Sequence, residues 1–316
     1  MLGARTVWRA VVVVGLAGAL MGCSPSAGDR GRGVDDLPRV VATTSLIADL
    51  ARQLGGQRVA VTGLMGPGVD PHLYRASARD LQAMAEADLI LYHGLHLEGR
   101  MAEVFEQVGR RGIPTRAVTT AIPAGQLLSP PGAQGMPDPH VWFDVRLWML
   151  TVPTVRDALG SIDPGGKAEF ASRAEAYLAE LAKLDDYVAA QAGRVPAPQR
   201  VLVTAHDAFN YFGQRYGFEV RGLQGISTAA EAGTRDVQEL AAFIATRRLP
   251  AIFVESSVAP RTIEAVQAAV RGRGAQVRIG GQLYSDALGD PGTPAGTYLG
   301  MVRANIETIV EGLAAQ

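Results

Sequence analysis

The sequence predicts an α/β protein made of two similar lobes with mostly parallel sheets, joined by one long rigid helix. Three observations carry this. Short β-branched runs alternate with helical patterns on both sides of the middle of the chain. One uninterrupted amphipathic pattern lies between Pro164 and Pro196. The openings of the two halves are alike: "VVATTSLIADLARQLGG" (40–56) and "VLVTAHDAFNYFGQRYG" (201–217) each read as a strand ending in Thr, then a helix ending in Gly.

In order, "RVVAT" (39–43) is a strand, and Thr44 or Ser45 caps a helix that stops at glycine. "VAVTGL" (59–64) is a second strand. "SARDLQAMAEA" (77–87) opens with Ser77 and Asp80 at capping-box spacing. "DLILY" is a third strand and "EGRMAEVFEQVGRR" a helix, while the Pro- and Gly-rich residues 120–139 read as a loop. After Pro164, the apolar residues Phe170, Ala174, Tyr177, Leu178, Leu181, Leu184 and Val188 recur at helical steps. The β-α pattern then restarts with "RVLVT", "AIFVE" and "QVRIG", their intervening helices, and a closing helix from about Thr293. The expected division is a lobe over 39–160, a linking helix over 161–196 and a second lobe over 197–316.

The 316 residues suffice for two domains of ordinary size. Hydrophobic residues at 47% and charged residues at 19% describe a folded chain, and a net charge of −1 offers no basic stripe for nucleic acid. Arg5 and Arg9 precede the apolar run "AVVVVGLAGALMGC", too short to span a bilayer comfortably, so residues 1–22 read as a signal peptide. Its end, "LMGC", resembles a bacterial lipobox. Cys23 is the single cysteine and pairs with no other, so lipidation explains it better than redox chemistry. Residues 23–38 read as a flexible tether.

The chain has five histidines, and two of them sit in the near-identical loops "GVDPHLY" (68–74) and "MPDPHVW" (136–142). Ligands of parallel α/β sheets bind beyond the C-terminal strand ends. That rule selects His72, His140, His206 and Asp286, two from each half, and three imidazoles with one carboxylate suit a divalent ion such as zinc. Proline stiffens each loop and holds the next residue's approach, which reduces the entropy lost on binding. Asp70 and Asp138 are candidates to orient the histidines, a role that spacing alone leaves open. Spacing alone leaves each histidine open between ligation and an ordinary polar loop position, because no Cys-x-x-Cys or His-Glu-x-x-His pattern is present. His93 and His96 in "LYHGLHLEGR" are further cleft candidates. Glu98 and Glu255 are candidates for bracing the histidines, or equally for structural carboxylates. Trp142, Trp148 and Phe143 read as core.

Six separated blocks extend the argument: "DPHLYRASARDLQAMAEADLILYHGLHLEGRM", "DPHVWFDV", "VTAHDAFNYFGQRYG", "GISTAAEAGTRDVQEL", "IFVESSVAPRTIEAV" and "LYSDALGDPGTPAGTYLGM". They resemble the metal-binding solute-binding lipoproteins of bacterial ABC importers, the zinc and manganese receptors. The resemblance runs from about residue 39 to the C-terminus. It implies two α/β lobes joined by a rigid helix, one ion held between them, and ligands at His72, His140, His206 and Asp286. It also implies an ABC permease as partner, a membrane anchor through lipid on Cys23, an extracytoplasmic location, and no catalytic role.

Three imidazoles and one carboxylate lean toward Zn2+. Bidentate coordination by Asp286 would admit Mn2+ or, less readily, Fe2+. Many zinc-specific relatives carry a His-rich loop between the first two ligands, whereas "PAGQLLSPPGAQGMPDP" has no histidine. A monomer is expected. Two alternatives remain: a secreted zinc-dependent hydrolase with Glu98 or Glu255 as general base, and a metal-binding adhesin.

Overall fold

A computed structural model describes Leu2, residues 37–130 and residues 135–314. The expected signal peptide (1–22), Cys23 and nearly all of the tether (23–38) lie outside the described residues, apart from Leu2, Leu37 and Pro38.

The first half follows its sequence pattern closely. Strands β1 (Arg39–Ala42), β2 (Ala60–Gly63), β3 (Leu89–Tyr92) and β4 (Thr115–Ala117) pair in the order β2-β1-β3-β4, every pair parallel. Helices α1 (Ser45–Gly55), α2 (Ala78–Ala85) and α3 (Ala102–Arg110) connect them. The Thr44 hydroxyl accepts from the Ile47 amide and caps α1. Ser77 and Asp80 close the expected capping box on α2. β4 has no counterpart among the expected strands. Its three residues are too short to show a strand period, and they are a strand because they pair with Ile90–Tyr92 of β3.

Between the halves, α4 (Val145–Met149) and α5 (Thr151–Ile162) pack on α6 (Lys167–Ala192), the long helix. α6 has 26 residues and is about 39 Å long. It begins after a 3-10 turn over Pro164–Gly166 and ends short of Pro196. The expected apolar stripe is its buried face, except that Leu178 is only half-buried and Asp185 joins it.

The second half contains β5 (Val201–His206), β6 (Glu219–Gln224), β7 (Ala251–Glu255) and β8 (Arg278–Leu283), with parallel ladders β5-β6 and β7-β8. β5 also lies beside β7, so the spatial order second-first-third-fourth of the N-terminal sheet recurs. Helices α7 (Asn210–Tyr216), α8 (Thr234–Arg247), α9 (Arg261–Gly272) and α10 (Tyr298–Ala314) complete it. β6 and α8 are likewise additions to the expected elements.

One apolar core runs through both halves by way of α6. It includes Leu46 and Leu50 of α1, Trp148, Leu159, Phe170, Leu181, Leu184, Phe212 and Ile306. Prising the halves apart would expose such side chains at about 1.5–3 kcal/mol each. Asp185 of α6 adds a polar tie: it accepts from Arg146 of α4 (2.6 Å), Arg215 of α7 (2.5 Å) and the Tyr216 hydroxyl (3.0 Å). The helix is packed along its length, not suspended as a linker.

Candidate metal centre

His72, His140, His206 and Asp286 come together from four separate loops and strand ends, their candidate donor atoms all within 4.8 Å of one another. His206 is the last residue of β5, not the first beyond a strand ending at Thr204 or Ala205. His72 lies in the turn after β2, His140 opens the 3-10 turn Val141–Phe143, and Asp286 follows β8. All are buried; His140 and His206 are 0% exposed, Asp286 1% and His72 7%.

The spacing is that of ligands around an ion. The His140 Nε2 atom is 3.3 Å from Nε2 of both His72 and His206. Asp286 Oδ1 is 3.4 Å from His140 Nε2, and Oδ2 is 3.4 Å from His206 Nε2. A tetrahedral ion with bonds of about 2.0–2.1 Å has donor–donor edges of about 3.3–3.4 Å. Imidazole lone pairs that face each other this closely repel unless a proton or cation lies between them. Asp286 Oδ1 is a buried acceptor without a hydrogen-bond partner, which is costly unless a cation satisfies it. The donor set fits one divalent ion.

Two histidines are held by carboxylates. His140 Nδ1 donates to Asp138 Oδ1 (2.6 Å), and His206 Nδ1 donates to Glu255 Oε2 (2.6 Å). Each contact fixes the tautomer that leaves Nε2 free to ligate. The same carboxylates also accept the histidines' own amides, at 3.0 and 2.9 Å. Asp138 is itself fixed by Asn210 Nδ2 (3.0 Å to Oδ2) and by the Tyr211 hydroxyl on its carbonyl (2.9 Å). Asp286 Oδ2 accepts from Ser257 Oγ (2.9 Å).

Electrostatics differ within the set. Burial pushes His72 down to about 3, so its ring is neutral. For His140 burial pulls the same way, but Asp138 and Asp286 outweigh it and the group lies above its ordinary value. His206, between Glu255 and Asp286, lies well above. Burial would raise Asp286, yet His206, His140 and His72 hold its carboxyl well below the usual range. The centre is a carboxylate among imidazoles, ready for a cation.

The remaining candidates separate clearly. His93 is buried and donates Nε2–H to the Pro139 carbonyl (2.6 Å), one residue before His140, so it supports that loop and is not among the clustered donors. His96 is exposed and lines a cavity of about 670 Å³ beside α3. Glu98 accepts from Thr43 Oγ1 (2.6 Å), the His93 amide (2.7 Å) and the Gly94 amide (3.3 Å). Those bonds hold Gly94, Leu95 and His96 in a left-handed run, a conformation costing about 1–3 kcal/mol per non-glycine residue. Asn210, Tyr211 and Ser257 are not singled out by the sequence pattern. Only Ser257, adjoining Glu255 at a strand end, carries a positional signal.

Residues 40–312 match a family model described as "ZnuA: Zinc-uptake complex component A periplasmic". The chain belongs to that family of substrate-binding proteins. It is 53% identical over 298 residues to the zinc-binding protein TroA of Treponema pallidum (strain Nichols), covering 94% of this chain and 96% of the relative. It is 46% identical over 295 residues to the manganese-binding lipoprotein MntA of Bacillus subtilis (strain 168), covering 93% and 95%. The solved structure of the periplasmic zinc-binding protein TroA superposes with a TM-score of 0.86 at 54% identity, over 88% of this chain and all of that one. Two lobes of parallel sheet and a long helix are therefore the family's architecture as well as this chain's.

Proposed function

We propose that this chain is the extracytoplasmic receptor of an ABC importer, capturing one Zn2+ or Mn2+ ion and delivering it to a membrane permease. His72, His140, His206 and Asp286 are its ligands. The observation that carries the reading is the buried cluster of three imidazoles and one carboxylate, its donor atoms within 4.8 Å of one another and four of the donor pairs at 3.3–3.4 Å. Four protein ligands close a tetrahedral shell, which suits capture and leaves no open position for an activated water. Glu98 and Glu255 already accept two or more hydrogen bonds each, so neither is free as the general base a hydrolase needs.

The choice of cargo rests on Asp286. Imidazoles favour zinc, while both carboxylate oxygens lie 3.4 Å from an imidazole donor, an arrangement that also offers manganese a fifth bond. The named relatives divide the same way, one zinc-binding and one manganese-binding. The lobes are assigned to 39–160 and 197–316 with the linking helix at 161–196, and the working form is a monomer. Among the described residues no helix is long and apolar enough to cross a membrane. Attachment is assigned to lipid on Cys23 after removal of residues 1–22. Metal analysis with calorimetry on the purified protein tests the reading: one ion per chain is expected, and absence of Zn2+ and Mn2+ binding would overturn it.

A further inference from the structure

The two Asp-Pro-His loops are spelled alike but held differently. In the second, Asp138 grips both the amide and the ring of His140. In the first, Asp70 Oδ1 accepts only the His72 amide (2.8 Å), and among the described residues no carboxylate holds the His72 ring. The other oxygen, Oδ2, instead accepts from Thr228 Oγ1 at 2.5 Å, across 158 residues of sequence and from the C-terminal half. Thr228 is itself well held. It is 8% exposed, and its loop is pinned where Gln224 Nε2 donates to the Ala230 carbonyl (3.0 Å). The first loop also meets the second half at Gly68, where an added Cβ would lie 3.3 Å from the Ser256 carbonyl oxygen.

We propose that Thr228 is a positioning residue for His72: by holding Asp70 from the opposite lobe it keeps the first ligand on the ion and sets how long the ion stays bound. The inference rests on the assignment of the four-donor cluster as the metal site. A hydroxyl donating to a carboxylate makes one of the stronger neutral-to-charged hydrogen bonds. With no carboxylate on the His72 ring, orientation of that ligand depends on its backbone, and that backbone is tied through Asp70. His72 is also the most exposed of the four, so water reaches the ion first on its side. Loss of the tie frees the loop while His140, His206 and Asp286 keep their own supports.

The test compares Thr228→Val, which keeps the shape and removes the hydroxyl, with Thr228→Ser, which restores it. Zn2+ dissociation is followed by stopped flow against excess chelator on the full chain. Thr228→Val is expected to release Zn2+ roughly tenfold faster, equivalent to about 1.4 kcal/mol. Its association rate should stay within about twofold and the ion-free melting temperature unchanged, because tuning falls on dissociation. Thr228→Ser should return to the wild-type rate. A wild-type off-rate in Thr228→Val overturns the proposal, as does a Thr228→Ser variant that releases as fast as Thr228→Val. Failure of the wild-type chain to bind Zn2+ at all would instead overturn the metal-site assignment.

Discussion

His140 and His72 follow the same dipeptide, yet one is held at both ring and amide by a braced aspartate and the other only at its amide. His140 is backed by Asp138, Asn210 and Tyr211, and His93 holds the carbonyl beside it. Although it belongs to the first half of the sequence, its loop is built into the second: Trp142 Nε1 also donates to the Ser285 carbonyl (3.0 Å). His72 has Asp70 on its amide and Thr228 beyond that. Three of the four donors are thus held by neighbouring side chains, and the fourth is held through its backbone. A receptor must bind tightly and still let go, and this asymmetry supplies both within one site.

The largest effect expected is among the three donors held by side chains. Asp286→Ala removes the only carboxylate among the donors and leaves His140 and His206 without the anion that both face. Calorimetry should find no Zn2+ binding. Retention of wild-type affinity would remove the distinction between the two sides, since those three donors would not be the anchor.

Proton competition comes next. His140 and His206 lie above the ordinary histidine value through Asp138, Glu255 and Asp286, whereas burial holds His72 near 3. In the ion-free protein the first two therefore hold a proton more readily than a free imidazole does, a proton that a cation must displace, whereas His72 holds one less readily. Affinity should fall as pH drops, by roughly tenfold per unit for each proton that the ion must displace, and the fall should begin at a higher pH than for free imidazoles because His140 and His206 are shifted upward. Calorimetry in buffers of different ionisation enthalpy counts those protons, and His72 is expected to contribute none. Three protons released would mean that His72 is not the neutral ligand.

Next in size is a direct contrast of the two aspartates. Asp138→Ala removes the brace on a ligand ring, for which a loss of about 10–100-fold in affinity is usual. Asp70→Ala loses the backbone anchor of His72 together with its tie to Thr228 but no bond to a ligand ring, so it should cost about the tenfold expected of Thr228→Val, the low end of that range. Equal losses would show that the two loops act alike after all.

Much of the fold and of the donor set is legible in the amino-acid sequence. Strand and helix order, both capping residues and the buried stripe of α6 follow from periodicity and caps, because those are local signals. The four donors are within reach of sequence reasoning because strand ends in a parallel sheet converge. Several of the elements that the pattern does not reveal share a cause, although α5 and α8, at 12 and 14 residues, do not. β4 is three residues long, α4 is five, and β6 ("EVRGLQ") carries the exposed Arg221 and a glycine in mid-strand, so pairing and packing define them, not their own pattern. The asymmetry between the loops is equally illegible. Nothing in "DPH" tells whether Asp reaches its neighbour's ring or a threonine 158 residues away, because tertiary placement decides it.

The smallest expected effect lies in the His72 loop itself. Gly68 has φ +70°, a left-handed value that side chains rarely adopt, and a Cβ there would press on the Ser256 carbonyl oxygen at 3.3 Å. Gly68→Ala should therefore strain the closed loop by about 1 kcal/mol, since alanine at positive φ is disfavoured. Because the loop brings one donor to a centre already organised by three others, the strain should appear as weaker binding of about fivefold, with little change in ion-free melting temperature. If Gly68→Ala instead lowered that melting temperature and left affinity intact, the loop would be part of the fold's rigid frame, and the division between ring-braced and backbone-held ligands would fail at the place where it is most easily checked.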